Sequence, residues 1–421
     1  MPRTTISSPL VFSTPWPFCA AVRAGDLTFL SGSVGADPRT GALPGGRSGY
    51  PDAAAQTKAT AEMLDQALAA LGSRREELAR LLAYHATWSG YERAEGALSG
   101  HYGAAQPARS TVGHGLVSPG FLVELEGIAV SGVELEPITV AGVGMPEGVP
   151  AAVRAGNLIF LSGLAGVGED GRVVATGDVR AQTRQALENA RAVLAAAGAT
   201  PRDVIRNHTT IVDWRDFDAY NEIYAAFFGQ PYPARASIQG TLGDPDRLIE
   251  FEMTAVLDGG ERTYVDTGRL GAYQDRDHYV VPRERIILDD RMTPGVAPHC
   301  AGVRSGDLIA VSGMVATDLE GKLVGPGDVR AQTHAVLTGI GYALEKLGSE
   351  LDDVVKTQVS LVDWRHYAAY NEVYAQYFSE PYPARATVQG GLAQYGLLVE
   401  VEAYAVAGAS SSATVLVGET G

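Results

Sequence analysis

Pro231-Tyr232-Pro233-Ala234-Arg235 returns unchanged as Pro381-Tyr382-Pro383-Ala384-Arg385, and in shorter form as Pro107-Ala108-Arg109. Fifteen residues after each arginine stands a glutamate, with a second one two positions on: Glu124 and Glu126, Glu250 and Glu252, Glu400 and Glu402. The alternating Val-Glu-Leu-Glu and Ile-Glu-Phe-Glu text predicts a strand with both glutamates on one face. Proline disfavours helix just before the arginine, so the arginine opens the preceding strand. Two neighbouring strands then bring a guanidinium and a carboxylate together, three times over. This recurring pair is read as the chemistry of the chain.

Working outward, the rest of the text repeats as well, and fixed-period self-similarity decides architecture. A Gly-Asp or Gly-Asn turn leads to a strand ending at Ser31-Gly32, Ser162-Gly163 and Ser312-Gly313. A helix follows, capped by Asp178 or Asp328 and closed by Gly198 or Gly348; in the first copy it precedes Gly72. Then come a strand ending near Trp88, Trp214 or Trp364 and a second helix. That helix carries an aromatic stripe, Phe217, Tyr220, Tyr224 and Phe228 in copy two, read as core packing. In copy one the stripe is thinner.

Each copy therefore reads as hairpin, helix, strand, helix, hairpin: an α+β domain with a mixed sheet and both helices on one face. The other sheet face is also apolar and needs a cover. Three copies supply it by packing their sheets around a shared axis, sheets inward and helices outward. The expected boundaries are 1–133, 134–258 and 294–421 for the repeats, the first the most diverged, and 259–293 for an insertion. That insertion is read as an ordered surface excursion, with a lid over one site as the alternative. The tail from Gly408 onward is expected to be loose.

Composition sets the outer limits. The 421 residues are 46% hydrophobic and 19% charged, which fits a soluble chain of two to four domains. No apolar run approaches the roughly 18 residues of a membrane span. The first residues lack a secretory pattern and there are only two cysteines, so a cytoplasmic location is expected. A net charge of −16 argues against a general nucleic-acid partner, because such binding draws on Lys and Arg neutralising phosphates.

Taken together, the Leu-x-Ser-Gly strand, the Gln-Thr helix, the Asn-x-x-Tyr-x-x-Phe-Phe helix, Pro-Ala-Arg-x-x-Val and Glu-x-Glu resemble the RidA (YjgF-like) family of reactive-intermediate deaminases. The resemblance covers nearly the whole chain, three times. It implies three chorismate-mutase-like domains in one polypeptide, a monomer acting as a pseudo-threefold trimer with sites in the clefts between repeats. It also implies hydrolysis of 2-imino or enamino acids to 2-keto acids, with no metal or organic cofactor. In that reading Arg109, Arg235 and Arg385 hold the substrate carboxylate, and Glu124, Glu250 and Glu400 position the attacking water. Ser31, Ser162 and Ser312 supply a small hydroxyl near the substrate, and Asn221 and Asn371 stand at the cleft.

Departures from the family pattern make the three clefts unequal. The family's tyrosine near the first strand falls on Phe18, Val149 and His299 here, and His299 could add an acid–base group. Copy one has Glu95 where the others have asparagine. Other readings stay open. The arginines could form structural salt bridges, and Glu126, Glu252 and Glu402 could bridge between copies. The clefts could bind a carboxylated metabolite or partner without turnover, and a nuclease is a third class. No His spacing points to zinc.

Overall fold

A computed structural model describes residues 2–7, 16–37, 40–45, 51–258, 260–266, 284–288, 297–318, 320–411 and 413–417. The first repeat runs β1 (Arg3–Ser7), β2 (Ala21–Ala24), β3 (Leu27–Leu30), β4 (Ser33–Val34), α1 (Ala53–Ala70), β5 (Leu78–His85), α2 (Tyr91–Tyr102), β6 (Ala108–Gly113) and β7 (Val123–Val130). The second runs β8 (Leu135–Ile138), β9 (Ala152–Ala155), β10 (Leu158–Leu161), β11 (Leu164–Ala165), α3 (Val179–Ala196), β12 (Val204–Ile211), α4 (Phe217–Phe228), β13 (Ala234–Gln239) and β14 (Ile249–Val256). The third runs β15 (Arg262–Asp266), β16 (Glu284–Leu288), β17 (Gly302–Ser305), β18 (Leu308–Val315), α5 (Val329–Lys346), β19 (Val354–Leu361), α6 (Tyr367–Tyr377), β20 (Ala384–Gln389), β21 (Val399–Val406) and β22 (Ala413–Val417).

Each repeat builds its own mixed sheet, and the order of the last strands corrects one expectation. The arginine strand β6 pairs in parallel with β5, and β5 pairs antiparallel with the glutamate strand β7. The same order holds for β13-β12-β14 and β20-β19-β21. The arginine and glutamate strands of one repeat are thus separated by a strand and form no hairpin. The reason is the helical crossover. A strand returning through α2, α4 or α6 docks parallel to the one it left, and the glutamate strand takes the opposite edge.

The helices start and stop where local chemistry dictates. Asp178 and Asp328 cap α3 and α5 by accepting from the amides of Ala181 and Ala331, and Asp52 does the same for α1. Gly198, just past the end of α3, has φ of +79°, a left-handed conformation that a side chain would resist. Both helices of a repeat pack on one sheet face; in copy two Leu187, Ala190, Leu194, Tyr220 and Tyr224 meet Ile159, Leu161 and Phe251. The opposite faces of all three sheets meet in a single apolar cluster that includes Phe29, Ala79, Phe160, Ile205, Ala310, Val355 and Tyr404.

Beside this cluster lies a buried ring of charge. Arg80 donates to Glu252 at 2.7–2.8 Å, Arg206 to Glu402 at 2.9–3.0 Å, and Lys356 Nζ lies 2.5 Å from Glu126. Each pair crosses from one repeat to the next, in the cyclic order one to two, two to three and three to one. His208 Nδ1 adds a 2.8 Å contact to Glu402. The second glutamates therefore bridge between copies. Removing one member leaves its partner charged in a dry interior, so Glu402→Gln is expected to lower unfolding free energy by roughly 3–5 kcal/mol. Urea titration followed by circular dichroism checks this, and a loss under about 1 kcal/mol would show that the ring is not a structural tie.

The tail and the insertion depart from expectation. Ala413–Val417, read as loose, forms a strand that pairs in parallel with β1. Part of the insertion is likewise built into the third sheet, where β15 pairs with β17 and β16 with β15. The edge strands beside them offer unpaired backbone groups, and these segments satisfy them. The lid reading concerned the rest of the insertion, 267–283 and 289–293, which lies outside the described residues.

Candidate active site

The predicted site residues come together between repeats, not within one. Glu124 of repeat one stands by Arg385 of repeat three, and Glu400 of repeat three by Arg235 of repeat two. Glu250 of repeat two reaches the Arg109 strand of repeat one, since a Cβ on Gly163 would meet both the Glu250 carboxyl and Ser110 Oγ. Arg385 and Glu124 line one cavity of about 190 Å³, walled by Trp16, Phe18, Phe121, Trp364 and Tyr367.

Local sequence explains the seam. The amide of each arginine donates to the serine hydroxyl of the next repeat: Arg109 to Ser162 at 2.9 Å, Arg235 to Ser312 at 2.8 Å and Arg385 to Ser31 at 2.8 Å. The serine hydroxyls in turn donate to the carbonyls of Pro150, Cys300 and Cys19. They are at most 1% exposed. Ser31, Ser162 and Ser312 thus link adjoining repeats through buried hydroxyls. The glycine after each serine has a steric reason. A Cβ on Gly32, Gly163 or Gly313 would collide with the carboxyl group of Glu124, Glu250 or Glu400.

Two of the arginines sit in matching beds. Arg235 Nη1 donates to Asn221 Oδ1 and Arg385 Nη1 to Asn371 Oδ1, each at 2.7 Å. The Arg235 guanidinium lies 4.8 Å from the Tyr224 ring and 5.3 Å from Tyr220. That of Arg385 lies 4.8 Å from Phe18 and 4.9 Å from Tyr374. The aromatic stripe of the second helix is thus buried core, as read, and it also supports the guanidinium. Stacking of this kind favours Arg over Lys.

The third bed differs. Ala94 and Leu98 replace the tyrosines. Glu95, at the position of Asn221 and Asn371, accepts from Arg109 Nη2 at 2.6 Å.

The glutamates are electrostatically unusual. Burial first, then the neighbouring Glu126, pushes the Glu124 carboxyl up to about 8. Burial and Glu402 push Glu400 up to about 8. Burial raises Glu250 to about 7, with Arg247 opposing. The backbone N–H groups of Thr387 and Ser237 donate to Glu124 and Glu400, so the arginine strand orients the glutamate of the following repeat. His299, read as a possible acid–base group, sits beside Arg235. Burial, with Arg235 beside it, holds it down to about 3, so it is neutral at physiological pH. Cys300 packs in the shared apolar cluster, and burial pushes the Cys19 thiol up to about 12.

One set of positioning residues went unassigned in the sequence. Gln56, Gln182 and Gln332 accept from the amides of Leu122, Leu248 and Leu398 at 2.7–2.9 Å. They donate to the carbonyls of Gly120, Asp246 and Gly396 at 2.8–2.9 Å. Each thereby fixes the entry of a glutamate strand two residues before Glu124, Glu250 or Glu400. The repeated Gln-Thr pair was the available signal. Among the described residues no group of three His, Cys, Asp or Glu could hold a metal, and no helix is long and apolar enough to cross a membrane.

Three tandem α+β units, each lending an arginine to a cleft whose glutamate comes from the next, define a triplicated small-domain protein. Residues 12–131, 149–257 and 291–407 each match the family model described as Endoribonuclease L-PSP, and the chain belongs to that family. It is 39% identical over 118 residues to the 3-aminoacrylate deaminase RutC of Acinetobacter baylyi, covering 26% of this chain and 94% of that protein. A RutC family protein of Pyrococcus horikoshii is 39% identical over 104 residues, covering 25% and 82%. Among solved structures, RidA from an Antarctic Psychrobacter is 36% identical, with 28% of this chain and 97% of that chain covered and a TM-score of 0.27.

Proposed function

We propose that the clefts hydrolyse a 2-imino or enamino carboxylic acid to the 2-keto acid and ammonium, with the three repeats acting as a pseudo-threefold trimer. The observation that carries this reading is a guanidinium and a carboxyl of raised pKa lining one small cavity, each from a different repeat. The relative named 3-aminoacrylate deaminase supports the reaction class, since 3-aminoacrylate is an enamine bearing a carboxylate, with the 3-oxo acid as its hydrolysis product.

Arg385 or Arg235 takes the substrate carboxylate through charge-assisted hydrogen bonds, with Asn371 or Asn221 fixing the guanidinium. An enamine first takes a solvent proton at its β-carbon to give the iminium; water then adds to the iminium carbon as one of its protons passes to the Glu124 or Glu400 carboxylate. The glutamate returns that proton to nitrogen, the C–N bond breaks, and the departing ammonia takes the proton of the new hydroxyl as the carbonyl forms. A carboxyl titrating near 8 can serve in both steps close to neutral pH.

The test supplies freshly generated 2-iminobutanoate and 2-aminoacrylate and follows imine loss and ammonia release. Acceleration at least tenfold over buffer is expected. No acceleration, with 2-oxobutanoate binding in the clefts, would replace this reading with non-catalytic carboxylate binding, for which the aromatic walls of the Arg385 cavity are suited. Cleavage of RNA that falls steeply with salt would instead favour the activity in the family's printed description.

A further inference from the structure

We propose that only two of the three clefts accept a carboxylated ligand, because Glu95 already occupies the carboxylate position on Arg109. This rests on the reading of the arginines as carboxylate anchors. The three arginines are equivalent in sequence and in their seam contacts. What differs is the residue fourteen positions before each of them. Asn221 and Asn371 are neutral and accept one hydrogen bond each, which leaves the positive charge of Arg235 and Arg385 for a ligand. Glu95 presents a carboxyl to the guanidinium, 2.6 Å from Arg109 Nη2, with side chains 14% and 2% exposed; burial pushes its pKa up and the paired Arg109 opposes that shift. Thr111 Oγ1 lies 3.4 Å from the other oxygen of Glu95 and holds it in place.

An incoming carboxylate would have to displace a tethered one. A group held in position by the fold acts at an effective concentration far above that of a millimolar metabolite. The aromatic bed is missing as well, since Ala94 and Leu98 stand where the tyrosines of the other repeats support the guanidinium. Arg247 adds a looser ion pair, with Nη1 4.0 Å from Glu250 Oε2. Each end of this cleft thus already faces an opposite charge of the chain itself, with Arg109 Nη1 left without a hydrogen-bond partner among the described residues. Glu95 acts as a built-in ligand and sets which clefts work.

Calorimetric titration of the full chain with 2-oxobutanoate tests this. Wild type is expected to bind two equivalents, and Arg235→Ala with Arg385→Ala together none. Adding Glu95→Asn to that double variant is expected to restore one site, with affinity raised at least 100-fold over the double variant. Glu95→Gln, which keeps the length of the side chain, provides a second replacement if the shorter one disturbs folding. Three equivalents in wild type, or one retained by the double variant, would overturn the proposal while leaving carboxylate binding intact. No binding by wild type would overturn the underlying reading and this inference with it.

Discussion

Replacing Arg235 and Arg385 together by alanine is expected to lower kcat/KM for a 2-imino acid by roughly 10²–10⁴-fold, with the fold unchanged by circular dichroism. Each guanidinium can offer a carboxylate two charge-assisted hydrogen bonds, worth roughly 1.5–3 kcal/mol apiece. Losing both anchors removes on the order of 3–6 kcal/mol from every productive complex, or roughly 10²–10⁴ in rate. The loss should appear in KM and kcat together, because a substrate without its anchor also loses its aim at the water. Arg→Lys at the same sites should recover little. Lysine is a point charge that matches neither the fork of a carboxylate nor the aromatic bed of Tyr220 and Tyr224 or Tyr370 and Tyr374. A double alanine variant within threefold of wild type would show that the chemistry happens elsewhere.

Glu124→Gln with Glu400→Gln is expected to lower kcat by about 10²–10⁴-fold, the usual span of a positioned acid–base group. The pH profile should identify the groups. The carboxylate form accepts the proton of the attacking water, so log kcat/KM should rise with pH and level off near 8, where both carboxyls titrate. An ordinary glutamate would level off near 4.5. The same residues make an opposite prediction for stability. Their folded pKa lies above that of the unfolded chain, so between about 4.5 and 8 the folded state holds protons that the unfolded state has lost. Their contribution is complete below pH 4.5 and gone above pH 8. The double glutamine variant should therefore match wild type in melting temperature near pH 4.5 and exceed it near pH 9. Gaining alkaline stability while losing activity is the pattern of a buried catalytic carboxyl. A variant that loses both would make these glutamates structural.

Much of this was legible in the text and some was not, for physical reasons. The threefold repetition, the capped helices at Asp178 and Asp328 and the sheet-and-helix layering follow from local patterns. So does the placement of paired glutamates on one strand face, with Glu252 and Glu402 turned to the centre and Glu250 and Glu400 to the clefts. Which arginine meets which glutamate did not follow, because that depends on how the repeats dock. The chain offers Arg235 and Glu250 fifteen residues apart, yet Glu400 is the one that senses Arg235. The bonds of the serines were not legible for a related reason. A hydroxyl repeated beside a cleft reads as a ligand contact, but in the fold it accepts from an arginine amide of the adjoining repeat and donates to a carbonyl of its own. The tail's order comes from backbone pairing of Ala413–Val417 with β1, a long-range contact that a local pattern does not announce.

The pairing of β22 with β1 sets residues from the two extremities of the described chain side by side, Arg3 opposite Ala413. Joining them by a short linker and opening the polypeptide between the first and second repeats should yield a rearranged molecule with the same seams. Which third is translated first is then a matter of where the circle is cut.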